Sequence, residues 1–258
     1  NEHTPPPFYF SKPKLQKCYG FHDGNFSDVR FPYFKLPKPC SYPIDLNKGF
    51  EQYIFRRQGK HSEMQEDLQK FILESKENVL QSHDTENAKR ADGSNRSQPQ
   101  QKSKRKLVLS NRGCLCKIMI IPYRLKASKY NNSKFFATRC GGILYISDGE
   151  SNYGTSKNDT YHNKFMQTCF SDDPDLDPNT NVPVNVNDFI SGIFRSTIKE
   201  FDLLYSAEIA GIVSNHVIDV FEDMENINNL KFINTKLLWN SGFINIWKHP
   251  KSLLWWLQ

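Results

Sequence analysis

The stretch LLYSAEIAGIVSNHVIDVF, residues 203–221, decides how the rest of the chain is interpreted. Two apolar runs flank a turn-prone Ser-Asn pair, so the pattern predicts a β-hairpin of two interior strands. Side chains alternate between the faces of a strand, so Glu208 and Ala210 share one face of the first strand, and Asp219 and Phe221 share one face of the second. Carboxylates mounted on neighbouring strands are one way to hold a divalent cation. Here each strand offers only one acid, and the next position on the same face is apolar.

The amino-acid composition limits the classes of protein to which this chain can belong. The chain has 258 residues, 38% of them hydrophobic and 13% aromatic, which is enough for a sizeable, sheet-rich core. The net charge of +6 permits an acidic partner such as nucleic acid but does not require one. No apolar run approaches the roughly 20 residues of a membrane span, and no secretory signal opens the sequence. We therefore expect an intracellular protein without a membrane partner.

The six cysteines are scattered along the chain. None forms a Cys-x-x-Cys pair, and none has a histidine at zinc-ligand spacing. Cys114 and Cys116 flank one residue, so in a strand they would point to the same face as small buried side chains. The pattern predicts reduced, structural cysteines and no zinc site.

The first half of the chain divides into three segments. Residues 1–43 are rich in proline and aromatic residues, which predicts an extended segment with short edge strands. Apolar residues recur at helical spacing over 63–80, which predicts an amphipathic helix on the core. Residues 81–106 lose almost all apolar residues and end in a basic cluster, KSKRK, so they predict a flexible loop. That cluster is a nuclear import signal, a phosphate-contacting tail or simply a solvated loop.

The second half alternates between apolar runs and turns. Residues 107–123 predict a strand, a turn and a second buried strand, and residues 135–146 predict a hairpin through Gly141-Gly142. Residues 189–204 fit a helix or a strand–helix boundary, and residues 230–246 fit a packed helix. The balance favours a mixed α/β (α+β) class with a mostly antiparallel sheet in one domain over residues 1–258. The apolar ending LLWWLQ predicts either that the natural chain continues or that this tail is buried by something outside the given sequence.

Four segments together carry a resemblance to a known family. They are IDLNKGF at 44–50, RGCLCKIMIIPY at 112–123, YSAEIAG at 205–211 and KLLWNSGF at 236–243. In that order they resemble the decapping exoribonuclease (DXO) family, whose members trim defective 5′ ends of RNA. The resemblance implies one α/β domain built on two mixed β-sheets flanked by helices. It also implies acidic and Lys/Gln motifs that, in active members, hold a divalent metal and the RNA 5′ end.

Transferred to this chain, the resemblance implies a degenerate site. Its Gly-x-x-x-Glu, Glu-apolar-Asp, Glu-apolar-Lys and Trp-x-Gln motifs fall on 162–166, 208–210, 219–221 and 239–241. The residues at the expected functional positions are Met166, Glu208, Ala210, Asp219, Phe221 and Ser241. Hard divalent cations take about six oxygen ligands, which two acids cannot supply alone. We therefore expect no catalytic residues, no metal and no cofactor. The alternative is an active site with Mg²⁺ or Mn²⁺, if neighbouring acids compensate through a shifted register.

Loss of metal ligands does not remove phosphate contacts, which come from lysine and arginine. Candidates for RNA binding along the old cleft are Arg112, Lys117, Arg124 and Arg139. The alternative for each is a cation on the surface or at the edge of the core.

The degenerate pattern is similar to that of a catalytically inactive insect germline branch of the family. That similarity implies a nuclear pseudoenzyme that covers RNA 5′ ends and bridges chromatin to small-RNA (piRNA) precursor transcripts. The implied partners are a heterochromatin-protein-like (Rhino-like) chromodomain protein and associated silencing factors, with RNA as a candidate ligand. Two alternatives stay open: a diverged but active metal-dependent 5′-end hydrolase or exoribonuclease, and a protein scaffold without RNA affinity.

Overall fold

The computed structural model describes residues 10–55, 66–75, 105–123, 134–149, 156–219 and 224–237. Within these ranges the helices are α1 (Glu66–Glu74), α2 (Arg112–Met119), α3 (Lys157–Cys169) and the short α4 (Met224–Ile227). The strands are β1 (Lys14–His22), β2 (Asn25–Ser27), β3 (Tyr33–Phe34), β4 (Lys106–Asn111), β5 (Phe135–Cys140), β6 (Ile143–Asp148), β7 (Phe170–Ser171), β8 (Phe189–Ile198), β9 (Phe201–Ile209), β10 (Gly211–Val213) and β11 (Lys231–Ile233). None of the described helices is long and apolar enough to cross a membrane.

Two mixed sheets organise these strands, which confirms the predicted fold class. The large sheet has the order β2-β1-β8-β9-β4-β6-β5, and the small sheet has the order β11-β10-β3-β7. In the large sheet β4 runs parallel to both β6 and β9, while its other pairs are antiparallel. In the small sheet β10 runs parallel to β3 and antiparallel to β11.

A buried cluster lies on each face of the large sheet. On one face α1 places Leu68 and Phe71 against Tyr19, Ile193 and Leu204. The other cluster joins the two sheets through side chains of the large sheet, the small sheet and α4, namely Leu15, Ile190, Ile209, Tyr33, Ile212 and Ile227. The small sheet is therefore fixed against the end of β9, where the candidate site lies.

The opening prediction of a hairpin over 203–221 is wrong. Strand β9 pairs with β8 and β4 in the large sheet, whereas β10 pairs with β3 and β11 in the small sheet. Only Ala210 separates the two strands, and the chain changes sheets there. The partner of β9 is β8, through a tight turn in which Lys199 has a positive φ of 50°. The expected helix or strand–helix boundary over 189–204 is therefore a strand pair.

Residues 112–119 form helix α2 and not the predicted second strand. The Asn111 side chain caps the helix by accepting a hydrogen bond from the backbone N–H of Cys114 at 2.7 Å. An N-cap of this kind satisfies an N–H group that the first turn leaves unpaired. Cys114 and Cys116 are both buried, as expected, but on a helix. The apolar run gave no helical period, so this capping asparagine was the available signal.

Some of the remaining secondary-structure predictions are confirmed, and others are wrong. The hairpin through Gly141 and Gly142 is confirmed: both residues have positive φ, and β5 pairs antiparallel with β6. The helix predicted over 63–80 is confirmed for Glu66–Glu74. Of the short edge strands expected over 1–43, β2 lies at the edge of the large sheet, whereas β1 lies inside the sheet between β2 and β8. Residues 231–233 form a strand where a helix was predicted, and 81–104 lie outside the described residues.

Candidate functional site

The chain crosses between the sheets at a point that admits no side chain. A Cβ atom on Gly211 would lie 2.5 Å from the ring of Phe170 and 2.6 Å from the carbonyl oxygen of Pro32. The next residue, Ile212, donates its backbone N–H to the same Pro32 carbonyl at 2.9 Å. This close contact fixes the end of β9 against the small sheet. Glu208 and Ala210 are thereby held at a defined place.

A cavity of about 580 Å³ opens beside this crossing. Helix α3, the end of β9 and the irregular segments around 53–55 and 179–188 form its walls. Three positions singled out from the sequence, Met166, Glu208 and Ala210, lie together in this lining. Motif positions on a helix and at a strand end, more than 40 residues apart in the sequence, thus line one cavity.

Helix α3 is tied to the opposite walls by polar contacts. A capping box with Ser156 and Asp159 starts the helix. Farther along, Asn163 Nδ2 donates to the Tyr53 hydroxyl at 2.6 Å, and Gln167 Nε2 donates to the carbonyl of Val182 at 2.9 Å. These bonds orient the face that carries Met166 toward the cavity.

A buried lysine strengthens the same wall. Lys164 is 5% exposed, and its Nζ donates to Gln167 Oε1 at 2.7 Å and to the carbonyl of Thr180 at 3.2 Å. Burial lowers the pKa of Lys164, because the ammonium loses hydration that two neutral acceptors replace only in part. Lys164 therefore positions the segment after Thr180, which lines the cavity, and does not itself face into it.

The donor atoms around Glu208 do not fit a divalent cation. Met166 presents a thioether and Ala210 a methyl group, where hard cations prefer carboxylate or carbonyl oxygen. Of the other acids in the lining, Asp159 accepts hydrogen bonds from Ser156, and Asp188 accepts from Asn185 and from the N–H of Asp23. The third, Asp172, is exposed. In the described ranges no three His, Cys, Asp or Glu side chains gather so as to hold a metal ion.

The cations expected to bind RNA are spread out. Arg112 begins α2, and its Nη2 donates to the backbone carbonyl of Glu208 at 3.1 Å. Lys117 pairs with Asp148 at the end of β6. Arg139 is exposed on β5, three strands from β9, or about 14 Å at ~4.8 Å per strand. The structure thus brings Arg112 alone to Glu208 from this set, and Arg124 lies outside the described residues.

The remaining motif positions do not reach the cavity in the described part of the chain. Asp219 is exposed in the extended segment after β10 and does not line the pocket. The reason is the change of sheet at Ala210, which carries 214–219 away from a pairing with β9. Phe221 and Ser241 lie outside the described residues.

Lys236 is a site residue that the sequence reasoning missed. Lys236 lies three residues beyond strand β11, which ends at Ile233. Loss of hydration and the Arg112 guanidinium lower the pKa of Lys236, while the Glu208 carboxylate opposes that shift. Burial and Lys236 in turn lower the pKa of His162, one helical turn before Met166. Lys236 and Arg112 therefore lie near Glu208, and His162 lies near Lys236.

Parts of two motifs also occur at other positions. Residues 234–236 (Asn-Thr-Lys) contain the lysine of Glu-apolar-Lys, which 219–221 lack. The pattern Trp-x-Gln also occurs literally at 256–258, outside the described residues. Strand alternation could not have found Lys236, because this residue lies beyond the end of β11.

Comparison with known proteins agrees with this architecture. The profile described as RAI1 like PD-(D/E)XK nuclease matches residues 9–258. Among curated proteins, the Drosophila melanogaster decapping and exoribonuclease protein Rai1 is 28% identical over 155 residues, which are 57% of this chain and 41% of that protein.

Solved structures share the fold at low sequence identity. Candida albicans Rai1, in complex with pU5-Mn²⁺, matches with a TM-score of 0.67 and 13% identity, over 98% of this chain and 66% of that one. Scheffersomyces stipitis Rai1, in complex with (3′-NADP)⁺ and calcium, gives 0.67 and 16% over 95% and 66%. S. pombe Rai1 with 3′-FADP gives 0.54 and 15% over 82% and 57%. The chain thus spans less than two thirds of the length of these relatives.

Proposed function

This chain belongs to the family of RAI1-like PD-(D/E)XK nucleases, and from that premise we propose that it binds the 5′ ends of RNA without cutting them. In this proposal the inherited pocket serves recognition, and the protein protects 5′ ends or competes for them. Relatives whose names and complexes include decapping, exoribonuclease activity and a bound pU5 oligonucleotide make an RNA 5′ end the natural ligand class.

The observation that carries the proposal is the chemistry at the end of β9. Met166 and Ala210 line the same cavity as Glu208, so carbon and sulfur stand where a metal-dependent nuclease needs oxygen. Metal-assisted phosphoryl transfer needs cations that polarise the phosphate and activate the attacking water. Glu208 beside Arg112, together with the exposed Asp172, supplies too few oxygen ligands to clamp such cations.

The proposal extends to the cellular role. We propose that the protein acts in the nucleus, bridging a heterochromatin-protein-like chromodomain partner and associated silencing factors to nascent piRNA precursor transcripts. Support comes from the degenerate motif pattern, from the basic KSKRK cluster and from the net charge of +6, which suits contact with nucleic acid. Co-purification of the full chain with chromatin, lost when the chromodomain partner is depleted, is the expected result; cytoplasmic retention would contradict this part.

The test is a combined binding and cleavage assay. Purified protein is mixed with a 5′-monophosphorylated oligoribonucleotide in Mg²⁺ or Mn²⁺, and both the bound fraction and the released nucleotides are followed. We expect binding that weakens steeply with salt, as phosphate contacts do, and no product. Nucleotide release that disappears in Glu208→Gln would show a working nuclease. Absence of RNA binding even at low salt would favour a protein scaffold instead.

One observation favours a second candidate, a diverged but active 5′-end hydrolase. Glu208 and Asp172 line the same cavity, and the charge of Lys236 interacts with that of Glu208, so two carboxylates and a lysine are available to a reduced catalytic site. That candidate predicts product formation with Mn²⁺ that Asp172→Asn and Glu208→Gln each abolish. The exposed, neighbouring Asp175→Asn variant is the matched control.

A further inference from the structure

Strand β5 forms one edge of the large sheet, and in the described ranges it pairs with β6 alone. Its sequence is Phe-Phe-Ala-Thr-Arg-Cys; every residue after the first is exposed, and Phe136 is 57% exposed. An apolar edge strand of this kind is a template for pairing with another strand. We propose that β5 pairs with β5 of a second copy of this chain, antiparallel and about a two-fold axis at Ala137. This inference goes beyond the proposed function and does not depend on it.

The backbone of β5 offers hydrogen-bonding groups on its outer side. Next to the strand, the Gly149 N–H donates to the Lys134 carbonyl at 2.8 Å, which fixes the phase of the β5–β6 ladder. Bonded and non-bonded pairs alternate along an antiparallel ladder, so Phe135, Ala137 and Arg139 aim their N–H and C=O groups away from β6. No described residue bonds to these outward groups. They are therefore available to a further strand.

This phase selects one symmetric register between two copies. Outward-facing residues must lie opposite outward-facing residues in an antiparallel pair. A two-fold axis at Ala137 is the arrangement that engages all three outward-facing residues, because it places Phe135 opposite Arg139 of the second copy. On the other face of the strand, Phe136 then lies opposite Thr138 of the second copy, an aromatic side chain against a β-branched one. One strand thus serves as its own partner, as a two-fold interface requires.

The charges in this register are complementary. Phe135 lies across from Asp148 of β6, and Arg139 of the second copy extends the same row on the other side of the ring. Within one copy Arg139 is far from this acid, because it lies across from Leu144 near the turn. Asp148 also pairs with Lys117, so the row alternates cation, acid, ring and cation. A guanidinium over an aromatic ring is attractive, and no like charges lie opposite each other.

The contact is small and leaves the cavity open. It involves one short strand from each copy, so the association is weak and depends on protein concentration. Strand β5 lies three strands from β9, which carries Glu208, so the pairing does not cover the candidate site. The two copies would form one continuous sheet in which neither β5 remains an edge.

Cysteine cross-linking tests the register. The full chain carries Cys140→Ser, which removes the exposed thiol of β5. Ala137→Cys then places two thiols opposite each other at a Cα separation of about 5.5 Å, within the range of a disulfide, so mild oxidation should give a covalent dimer. Thr138→Cys is the matched control: it is exposed on the same strand but faces Phe136 of the second copy, and it should give about tenfold less dimer.

Sedimentation equilibrium under reducing conditions tests the association itself. The native chain should show a monomer–dimer equilibrium, and Ala137→Lys should raise the dissociation constant about tenfold or more, because two ammonium groups meet at the axis. Thr138→Lys adds the same charge away from the axis and should raise it much less. Circular dichroism confirms that each variant is folded.

Three results would overturn the inference: a chain that stays monomeric at every concentration, a dimer that survives Ala137→Lys, or equal cross-linking through positions 137 and 138. None of them bears on binding of RNA 5′ ends, which the assay above measures separately.

Discussion

Two adjacent residues at the end of β9 contrast sharply in what they tolerate. Gly211 packs so tightly against Phe170 and Pro32 that even a methyl group would collide with them. Its neighbour Ala210 lines an open cavity together with Met166 and Glu208, where a larger side chain has room. The packing around Gly211 therefore restricts side-chain size, whereas the cavity lining at Ala210 allows side chains of different chemistry. A family fold can persist at such a site while the ligands that perform its reaction are exchanged.

The largest expected effect concerns the framework. Gly211→Ala should lower the free energy of unfolding by about 1–3 kcal/mol, because the added methyl must displace the Phe170 ring or the Pro32 backbone. Urea unfolding followed by circular dichroism measures the change. Val217→Ala, at a position 67% exposed, should alter stability by less than about 0.5 kcal/mol. Equal stabilities for the two variants would show that the crossing is not tightly packed.

A second prediction concerns substitutions in the cavity lining. The double substitution Met166→Glu and Ala210→Asp surrounds Glu208 with carboxylates and should raise Mn²⁺ affinity by about tenfold or more, since hard cations bind clustered oxygen ligands. Isothermal titration measures the affinity. The neutral pair Met166→Gln and Ala210→Asn has nearly the same shape and should show little gain. An equal gain in both pairs would show that charge at these positions does not control metal binding.

A third prediction uses a carboxylate outside the pocket. Asp67, 4% exposed between α1 and β8, accepts a hydrogen bond from Ser191, and burial raises its pKa above the ordinary carboxyl value. The folded state then holds this proton to higher pH than the unfolded state. Its contribution therefore favours folding at low pH, and that contribution is lost as the pH rises from the ordinary value through the raised one.

Asp67→Asn should remove this component of the pH dependence. Urea midpoints from pH 3.5 to pH 7 should fall less, or rise more, with pH in the variant than in the native chain. Asp175→Asn, at an exposed carboxylate, serves as the control. The same slope for Asp67→Asn and the native chain would show that Asp67 is not held in its protonated form.

The smallest expected effect on stability concerns an exposed ion pair between α1 and β1. Lys17 Nζ lies 2.6 Å from Glu74 Oε2, and the tyrosine hydroxyl of Tyr19 donates to the same carboxylate at 2.9 Å. Both charged side chains are more than a third exposed, so Glu74→Gln should change stability by only a few tenths of a kcal/mol. RNA affinity should stay unchanged, since this pair is on α1 and β1 and not at the cavity. A marked loss of RNA binding would move the proposed site.

The sequence predicted residues that line the cavity better than it predicted the pairing of the strands that carry them. Met166, Glu208 and Ala210 were singled out by the resemblance to the family's motifs, each of which covers a short segment of α3 or the end of β9. Asp219 did not reach the cavity, because alternation along a strand cannot reveal that a chain changes sheets at one residue. That event depends on Gly211 meeting Phe170, a contact between positions far apart in the sequence.

Helix α2 is a second element that the local sequence pattern did not predict. The segment from Arg112 to Met119 is apolar enough for a strand, and only the cap at Asn111 and the packing of Cys114 and Cys116 decide for a helix. The Gly141-Gly142 hairpin was predictable because its signal is local: both residues adopt positive φ. Lys236 was missed because its approach to Glu208 joins positions far apart in the sequence and lies beyond the end of β11.

The central claim is that the pocket around Glu208 has no use for a divalent cation. A titration of Mn²⁺ into the full chain, followed by electron paramagnetic resonance, tests it directly. The account predicts no binding beyond that of the Glu208→Gln variant, with or without a 5′-phosphorylated RNA. Stoichiometric Mn²⁺ binding that vanishes in Glu208→Gln would contradict it.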